Sequence, residues 1–126
     1  MTRYRIALPC GTLELRVGER QPQLDACLRQ AGFSCWCLLT AWNPGSRLLP
    51  REENRARQEK LKKYLLDRGH IIFSGENHSC SGGWPLECTI FVPGSSRQEG
   101  REAALLFEQN AFLAGENDLP AELLWI

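Results

Sequence analysis

Polar side chains that could bind or transform a ligand interrupt the apolar runs of this chain at four places. The first is the segment 40–46, where a strongly hydrophobic stretch ends in Thr-Ala-Trp-Asn-Pro-Gly-Ser. Carboxamides at these places would give directional hydrogen bonds, and tryptophan rings would give an apolar wall. The residues predicted to bind a ligand are Thr40, Trp42, Asn43, Ser46, Asn54, Trp84, Gln109 and Asn110.

Glu87 is the candidate catalytic residue. It alternates with Thr89 and Phe91 on an apolar strand, so we expect it to be partly buried. A partly buried carboxylate in a ligand site is a candidate general acid or base. A structural interpretation stays open beside this one. Asn54 would then bond loop backbone, and Glu87 would pair with an arginine such as Arg57.

The periodicity of the chain predicts the elements that must position these residues. Residues 24–31 have apolar side chains at helical spacing, with Gly32 suited to the C-terminal cap. Ser96 and Glu99 have the spacing of a capping box at the start of the last helix. The predicted helices are 24–31, 50–68 and 96–109, and the predicted strands are 4–8, 12–17, 33–42, 70–74, 84–92, 111–115 and 122–126.

The predicted fold is a single α/β or α+β domain over residues 1–126. It is a sandwich with about three helices and a mixed, partly parallel sheet. The strand at 33–42, the helix at 50–68 and the strand at 70–74 would form a β-α-β unit with parallel strands. Asn43, the amino end of that helix, the loop at 75–83 and Gln109 would then meet at one edge of the sheet. Ligands commonly bind at the carboxyl ends of strands in such sheets.

Four segments of the chain also carry a family resemblance. They are Thr-Ala-Trp-Asn-Pro-Gly-Ser at 40–46, Glu53-Asn54, Trp-Pro-Leu-Glu at 84–87, and Phe-Glu-Gln-Asn-Ala at 107–111. In order and spacing they resemble a bacterial family catalogued as domain of unknown function family 3293. Its pattern tends to have Ser where this chain has Pro50 and Cys88, and Gly where it has Glu108. The resemblance implies a common site for these residues but implies no reaction.

Composition narrows the class of protein. Fifteen basic residues balance fifteen acidic ones, so no global field favours nucleic acid or an acidic membrane. No apolar stretch approaches the roughly 20 residues that span a bilayer, and the amino end does not resemble a signal peptide. We therefore expect a cytoplasmic protein with no membrane partner, whose six cysteines are reduced.

Cofactor motifs are weak in this chain. It has no Walker or dinucleotide glycine loop, and its cysteines and histidines lack the paired spacing of zinc modules. Cys35 and Cys37 share a strand face but are expected in the core. We expect neither a metal nor a bound cofactor.

These observations predict a small domain that binds a polar small molecule, for which a nucleotide-like ligand is one candidate. The amino end of the helix at 50–68 would receive an anionic group. Two alternatives remain. One is a non-catalytic protein-interaction module that uses an apolar tail at 119–126. The other, less favoured, is a single-stranded nucleic-acid binder that uses the basic helix at 51–63. Catalysis and oligomeric state are left open.

Overall fold

The computed structural model describes residues 2–79 and 86–126. Its strands are β1 (Thr2–Leu8), β2 (Gly11–Leu15), β3 (Cys35–Leu39), β4 (Phe73–Ser79), β5 (Glu87–Pro93), β6 (Ala111–Glu116) and β7 (Glu122–Trp125). Its α-helices are α1 (Pro22–Ala31), α2 (Arg51–Asp67) and α3 (Arg97–Leu106), and a single 3-10 turn covers Pro44–Ser46. The α/β class and the three helices confirm the prediction.

The described strands form one sheet in the order β2-β1-β4-β5-β3-β6-β7, and every pairing is antiparallel. The prediction of a partly parallel sheet is therefore wrong. The sheet is antiparallel because β5 inserts between β3 and β4 and runs antiparallel to both. The strands of the predicted β-α-β unit do run in the same direction, but they are not neighbours. Their carboxyl ends still lie at one edge of the sheet.

The two faces of the sheet bury different side chains. Helices α2 and α3 cover one face, where Leu61 and Leu65 of α2 pack with Cys37, Ile90 and Val92 of the central strands. Helix α1 covers part of the other face, where Leu24 and Leu28 pack against strand residues such as Ile6, Trp36 and Phe91. The alternation along each strand thus divides the core into two layers.

The sheet curls around α1. Leu15 of β2 and Ala121, which precedes β7, belong to the same buried cluster although β2 and β7 are the two edge strands. Hydrogen bonds join the segments beside these edges, because the Gly18 amide donates to the Ala121 carbonyl at 2.8 Å and the Ala121 amide donates to the Glu19 carbonyl at 3.1 Å. The face that carries α1 is therefore concave.

The helix ends follow the predicted local chemistry. Gly32 ends α1 in the left-handed conformation, with φ 86°. Ser96 and Glu99 form the capping box of α3, in which each side chain accepts from the other residue's backbone amide. Pro50 is the residue before α2 rather than its first helical residue. Strand β4 runs to Ser79, so part of the predicted loop 75–83 is extended.

Cys10 and Cys27 lie at disulfide-bonding distance, which corrects the prediction that all cysteines are reduced. Cys10 lies in the turn between β1 and β2, and Cys27 lies on α1. They are 17 residues apart in the chain, so sequence spacing did not indicate the pair. Among the described residues, Cys35, Cys37 and Cys88 are free thiols.

Candidate functional site

A cleft of about 240 Å³ opens on the concave face, at the carboxyl end of β3. No residue of α1 belongs to the described lining of this cleft, and side chains of the strands line it directly. Tyr4 of β1 and Trp125 of β7 bring aromatic rings to its lining. Five of the predicted site residues also line it, namely Thr40, Ser46, Glu87, Gln109 and Asn110.

Glu87 lies in a row of paired residues across three strands. Tyr4 of β1 is opposite Asn77 of β4, and Asn77 is opposite Glu87 at the start of β5. The Asn77 side-chain amide donates to Glu87 Oε1 at 3.2 Å, and the Asn43 side-chain amide donates to Glu87 Oε2 at 2.8 Å. Both amides orient the half-buried carboxylate, and the predicted pairing with Arg57 does not occur in the structure.

Asn43 and Asn54 form a buried amide pair that shapes the turn after β3. The Asn43 backbone amide donates to Asn54 Oδ1, and Asn54 Nδ2 donates to Asn43 Oδ1, both at 2.8 Å. Asn54 Nδ2 also reaches the Leu49 carbonyl at 3.3 Å, and the Leu49 amide donates to Asn43 Oδ1 at 3.0 Å. Asn43 has a φ of 47°, a left-handed conformation that asparagine tolerates. Both polar ends of the Asn54 side chain thus serve the turn.

Helix α2 holds the chain beyond β3 through two further side chains. Gln58 Oε1 accepts from the Ala41 amide at 2.9 Å. The Arg57 guanidinium donates to the carbonyls of Ala41 and Phe107 at 2.8 and 2.6 Å. Gln109 donates to the Trp42 carbonyl at 3.1 Å. The polar side chains of α2 therefore have a structural role, since they bind the backbone of the chain after β3. The cleft lies beside this part of the chain.

Trp42 belongs to a different cavity from Glu87. It lies against α2, where Asn43, Asn54, Arg51 and Cys88 line a separate space of about 350 Å³. The amino end of α2 borders this second cavity and not the concave cleft. The structure thus divides the predicted site in two, with Asn43 between the parts. Trp84 lies outside the described residues.

Several residues of the cleft were absent from the predicted site, among them Tyr4, Asn77, Thr89 and Trp125. Thr89 was assigned to the face of Glu87 by alternation, which the structure confirms, but it was not named as a binding residue. Its Oγ1 is buried and has no hydrogen-bond partner among the described residues. Tyr4 and Trp125 lie near opposite ends of the chain, so only the strand order could have placed them here.

Titration in the cleft is perturbed at Tyr4. Burial, and secondly the negative charge of Glu87, raise the pKa of the Tyr4 hydroxyl above its ordinary value of about 10. Tyr4 is therefore neutral over the physiological range, so it can act as a hydrogen-bonding group and as an aromatic wall. An acid-base role for Glu87 stays a prediction.

The thiols do not form a metal site in the part of the chain that the structure describes, where no group of three potential ligands lies together. Cys37 is buried, and its thiol contacts the Ser95 and Ser96 carbonyls at 3.7 and 3.3 Å. Burial raises the pKa of the Cys37 thiol to about 11, so it remains protonated as a core residue.

The surfaces that a protein partner or a single-stranded nucleic acid would contact, under the two alternative functions, are exposed. In the predicted apolar tail, the exposed fractions of Leu119, Trp125 and Ile126 are 48%, 66% and 44%. The basic residues of α2 also lie mainly at the surface. A protein partner and a nucleic-acid partner both stay predictions. In the described residues, no helix combines the length and the apolar character needed to cross a bilayer.

Comparison with known proteins identifies a family but no activity. A family model with the description "Protein of unknown function (DUF3293)" matches residues 39–112. This segment runs from the last residue of β3 into β6, so it includes Glu87 and both parts of the predicted site. No curated protein and no solved structure matches the chain.

Proposed function

Since the matched segment covers more than half of the chain, the protein belongs to the DUF3293 family, and we propose that it binds a small polar molecule in the concave cleft. The observation that carries the proposal is the convergence of Ser46, Glu87 and Gln109 on one cavity of about 240 Å³. They come from the turn after β3, the start of β5 and the segment after α3. A cavity with a few convergent polar groups and apolar walls is typical of a ligand site.

The groups that line the cleft retain hydrogen-bonding capacity toward a ligand. The Ser46 hydroxyl accepts from Asn110 Nδ2 at 2.8 Å, so its own proton can be donated. Gln109 uses its nitrogen for the carbonyls of Trp42 and Phe107, and its Oε1 makes no hydrogen bond among the described residues. A volume of about 240 Å³ corresponds to roughly eight liquid waters, which suits a small metabolite.

Binding can be tested by thermal shift with a library of polar metabolites. A ligand at 100 times its dissociation constant should add about 2.7 kcal/mol to stability. We expect a hit with the wild type to weaken in Glu87→Gln and in Asn110→Ala, which change the lining of the cleft. Glu102→Gln on the exposed surface of α3 is the matched control.

Three results decide the proposal. If a ligand stabilises the wild type and the control variant but not the two cleft variants, the proposal is supported. A hit that all variants retain would place the ligand elsewhere and overturn the proposal. A silent library on folded protein would also count against it and favour a macromolecular partner.

A further inference from the structure

An apolar cavity lies beside the Cys10–Cys27 disulfide, away from the concave cleft. It has a volume of about 260 Å³, and no charged side chain belongs to its described lining. Phe33, Phe73 and Phe91 line it. The apolar cavity and the concave cleft share no described lining residue, so this cavity is independent of the proposed ligand site.

Two elements supply the walls of the apolar cavity on the side of the disulfide. Leu8, Pro9 and Cys10 line it from the β1–β2 turn (residues 8–11), and Cys27 and Leu28 line it from α1. The disulfide joins these two walls covalently. Among the described residues, neither a hydrogen bond nor an ion pair connects the turn with α1. The disulfide is therefore the one specific link between them.

Helix α1 has other attachments, which do not depend on the cysteines. The Asp118 amide donates to Asp25 Oδ2 at 3.1 Å. Just after the helix, the Asn117 side-chain amide donates to the Phe33 carbonyl at 2.9 Å. The turn is held only by the pairing of β1 with β2 and by the packing of Leu8, which is partly buried. If the disulfide is broken, the turn is thus the wall that can move.

We propose that Cys10 and Cys27 are a reversible redox couple that closes and opens the apolar cavity. Cys10 is exposed and Cys27 is half-buried, so a thiolate of an external dithiol reaches the sulfur of Cys10 first. Its attack breaks the S–S bond, forms a mixed disulfide with Cys10 and releases Cys27 as a thiolate, which takes up a proton. The second thiol of the reductant then displaces Cys10. Two electrons and two protons pass to the protein, and the dithiol becomes a disulfide.

Reduction leaves the turn in contact with the rest of the protein through apolar packing and its own strand pairing. Leu8 packs against the buried cluster that contains Leu28, and this contact has no fixed direction. Elements with few specific bonds open locally at a lower free energy than global unfolding. Movement of the turn uncovers the half-buried rings of Phe33 and Phe73. The oxidised protein therefore keeps the cavity closed on this side, and the reduced protein exposes its aromatic residues.

NMR spectra of the wild-type protein test the switch in three states: oxidised, reduced with dithiothreitol, and reoxidised with oxidised glutathione. We expect reduction to shift the amides of Leu8, Cys10 and Cys27. A soluble gadolinium chelate should relax the ring protons of Phe73 several-fold more strongly in the reduced state. The Asp118 amide should keep its shift, because its hydrogen bond does not involve the cysteines. Reoxidation should restore the first spectrum.

Two variants serve as controls. Cys88→Ser removes a free thiol that lies outside the apolar cavity, so it should retain the full response. Cys10→Ser combined with Cys27→Ser should show the strong relaxation of Phe73 both with and without dithiothreitol.

Three results would overturn the proposal. The cysteines of the folded protein do not interconvert under these reagents, or reduction shifts only the two cysteines while Phe73 remains shielded. In either case the state of the cysteines does not control the cavity. The third result is the loss of dispersed signals from the whole protein, since reduction would then unfold the chain rather than open one side of it.

Discussion

Replacement of Asn54 by alanine tests whether this residue holds the turn that shapes the cleft. Asn54 is 2% exposed and makes three hydrogen bonds to Asn43 and Leu49. Each is worth about 1 kcal/mol net, and a buried amide left without an acceptor costs about 1–3 kcal/mol. Since the Asn43 backbone amide loses its acceptor, we expect Asn54→Ala to lower the free energy of unfolding by about 2–4 kcal/mol.

Urea unfolding measures this loss, and calorimetry should show a fall in Tm of roughly 8–16 °C for a domain of this size. Asn110→Ala is the matched control, because it removes an exposed carboxamide with one hydrogen bond, to Ser46. We expect less than about 0.5 kcal/mol from the control. If Asn54→Ala lowers the free energy of unfolding no more than the Asn110→Ala control does, the role of Asn54 in holding the turn is refuted.

Three further predictions concern stability away from the cleft. The backbone amide of Ser96 lowers the pKa of Glu99 below its ordinary value of about 4.5. The stability that this carboxylate contributes is therefore present above pH 4.5. It is lost as the pH falls through the lowered pKa of the folded protein. The advantage of the wild type over Glu99→Gln should accordingly shrink below pH 4.5 in urea unfolding, and a constant difference would contradict this. Reduction of the Cys10–Cys27 disulfide, which closes a loop across 17 positions, should cost about 3 kcal/mol, and a variant with serine at both positions should not respond to the reductant. Glu108 has a φ of 58°, so Glu108→Val should be less stable than Glu108→Gly by about 1–2 kcal/mol in thermal unfolding, whereas equal stability would argue against the left-handed conformation.

Local signals in the sequence predicted the helices better than the sheet. The capping box of Ser96 and Glu99 and the left-handed Gly32 depend on neighbouring residues, so their patterns can be recognised directly. The insertion of β5 between β3 and β4 depends on packing between distant segments, for which the chain has no local signal. Periodicity shows that a strand is buried on two faces, but it does not show which strands lie beside it.

Gly75 shows how a composition typical of loops can conceal a strand. A Cβ at this position would lie 2.6 Å from the Arg5 carbonyl oxygen and 2.7 Å from Thr89 Oγ1. Glycine is therefore required by the close approach of neighbouring strands rather than by a turn. Because the segment 75–83 contains Gly, Ser and Asn, the sequence pattern predicted a loop where β4 continues to Ser79.

The direction of the strands explains why the sequence could place some of the candidate residues together. β3 and β4 run in the same direction even though they are not neighbours, so the predicted edge still brings Thr40, Glu87 and Gln109 to one cleft. Trp42 borders the second cavity, beside the amino end of α2, because the chain turns away after β3. Tyr4 joins the site only because β1 pairs with β4.

The most direct test of the central claim is an NMR titration of labelled wild-type protein with the hits of the metabolite screen. The account predicts perturbed amides at Glu87, Thr89 and Ala111 and a shifted Trp125 indole, since these residues line the cleft. Phe33 lies in the apolar cavity beside Cys10 and should not respond. Perturbation confined to that cavity or to the space around Trp42, with no change at Glu87, would contradict the claim that the concave cleft is the binding site.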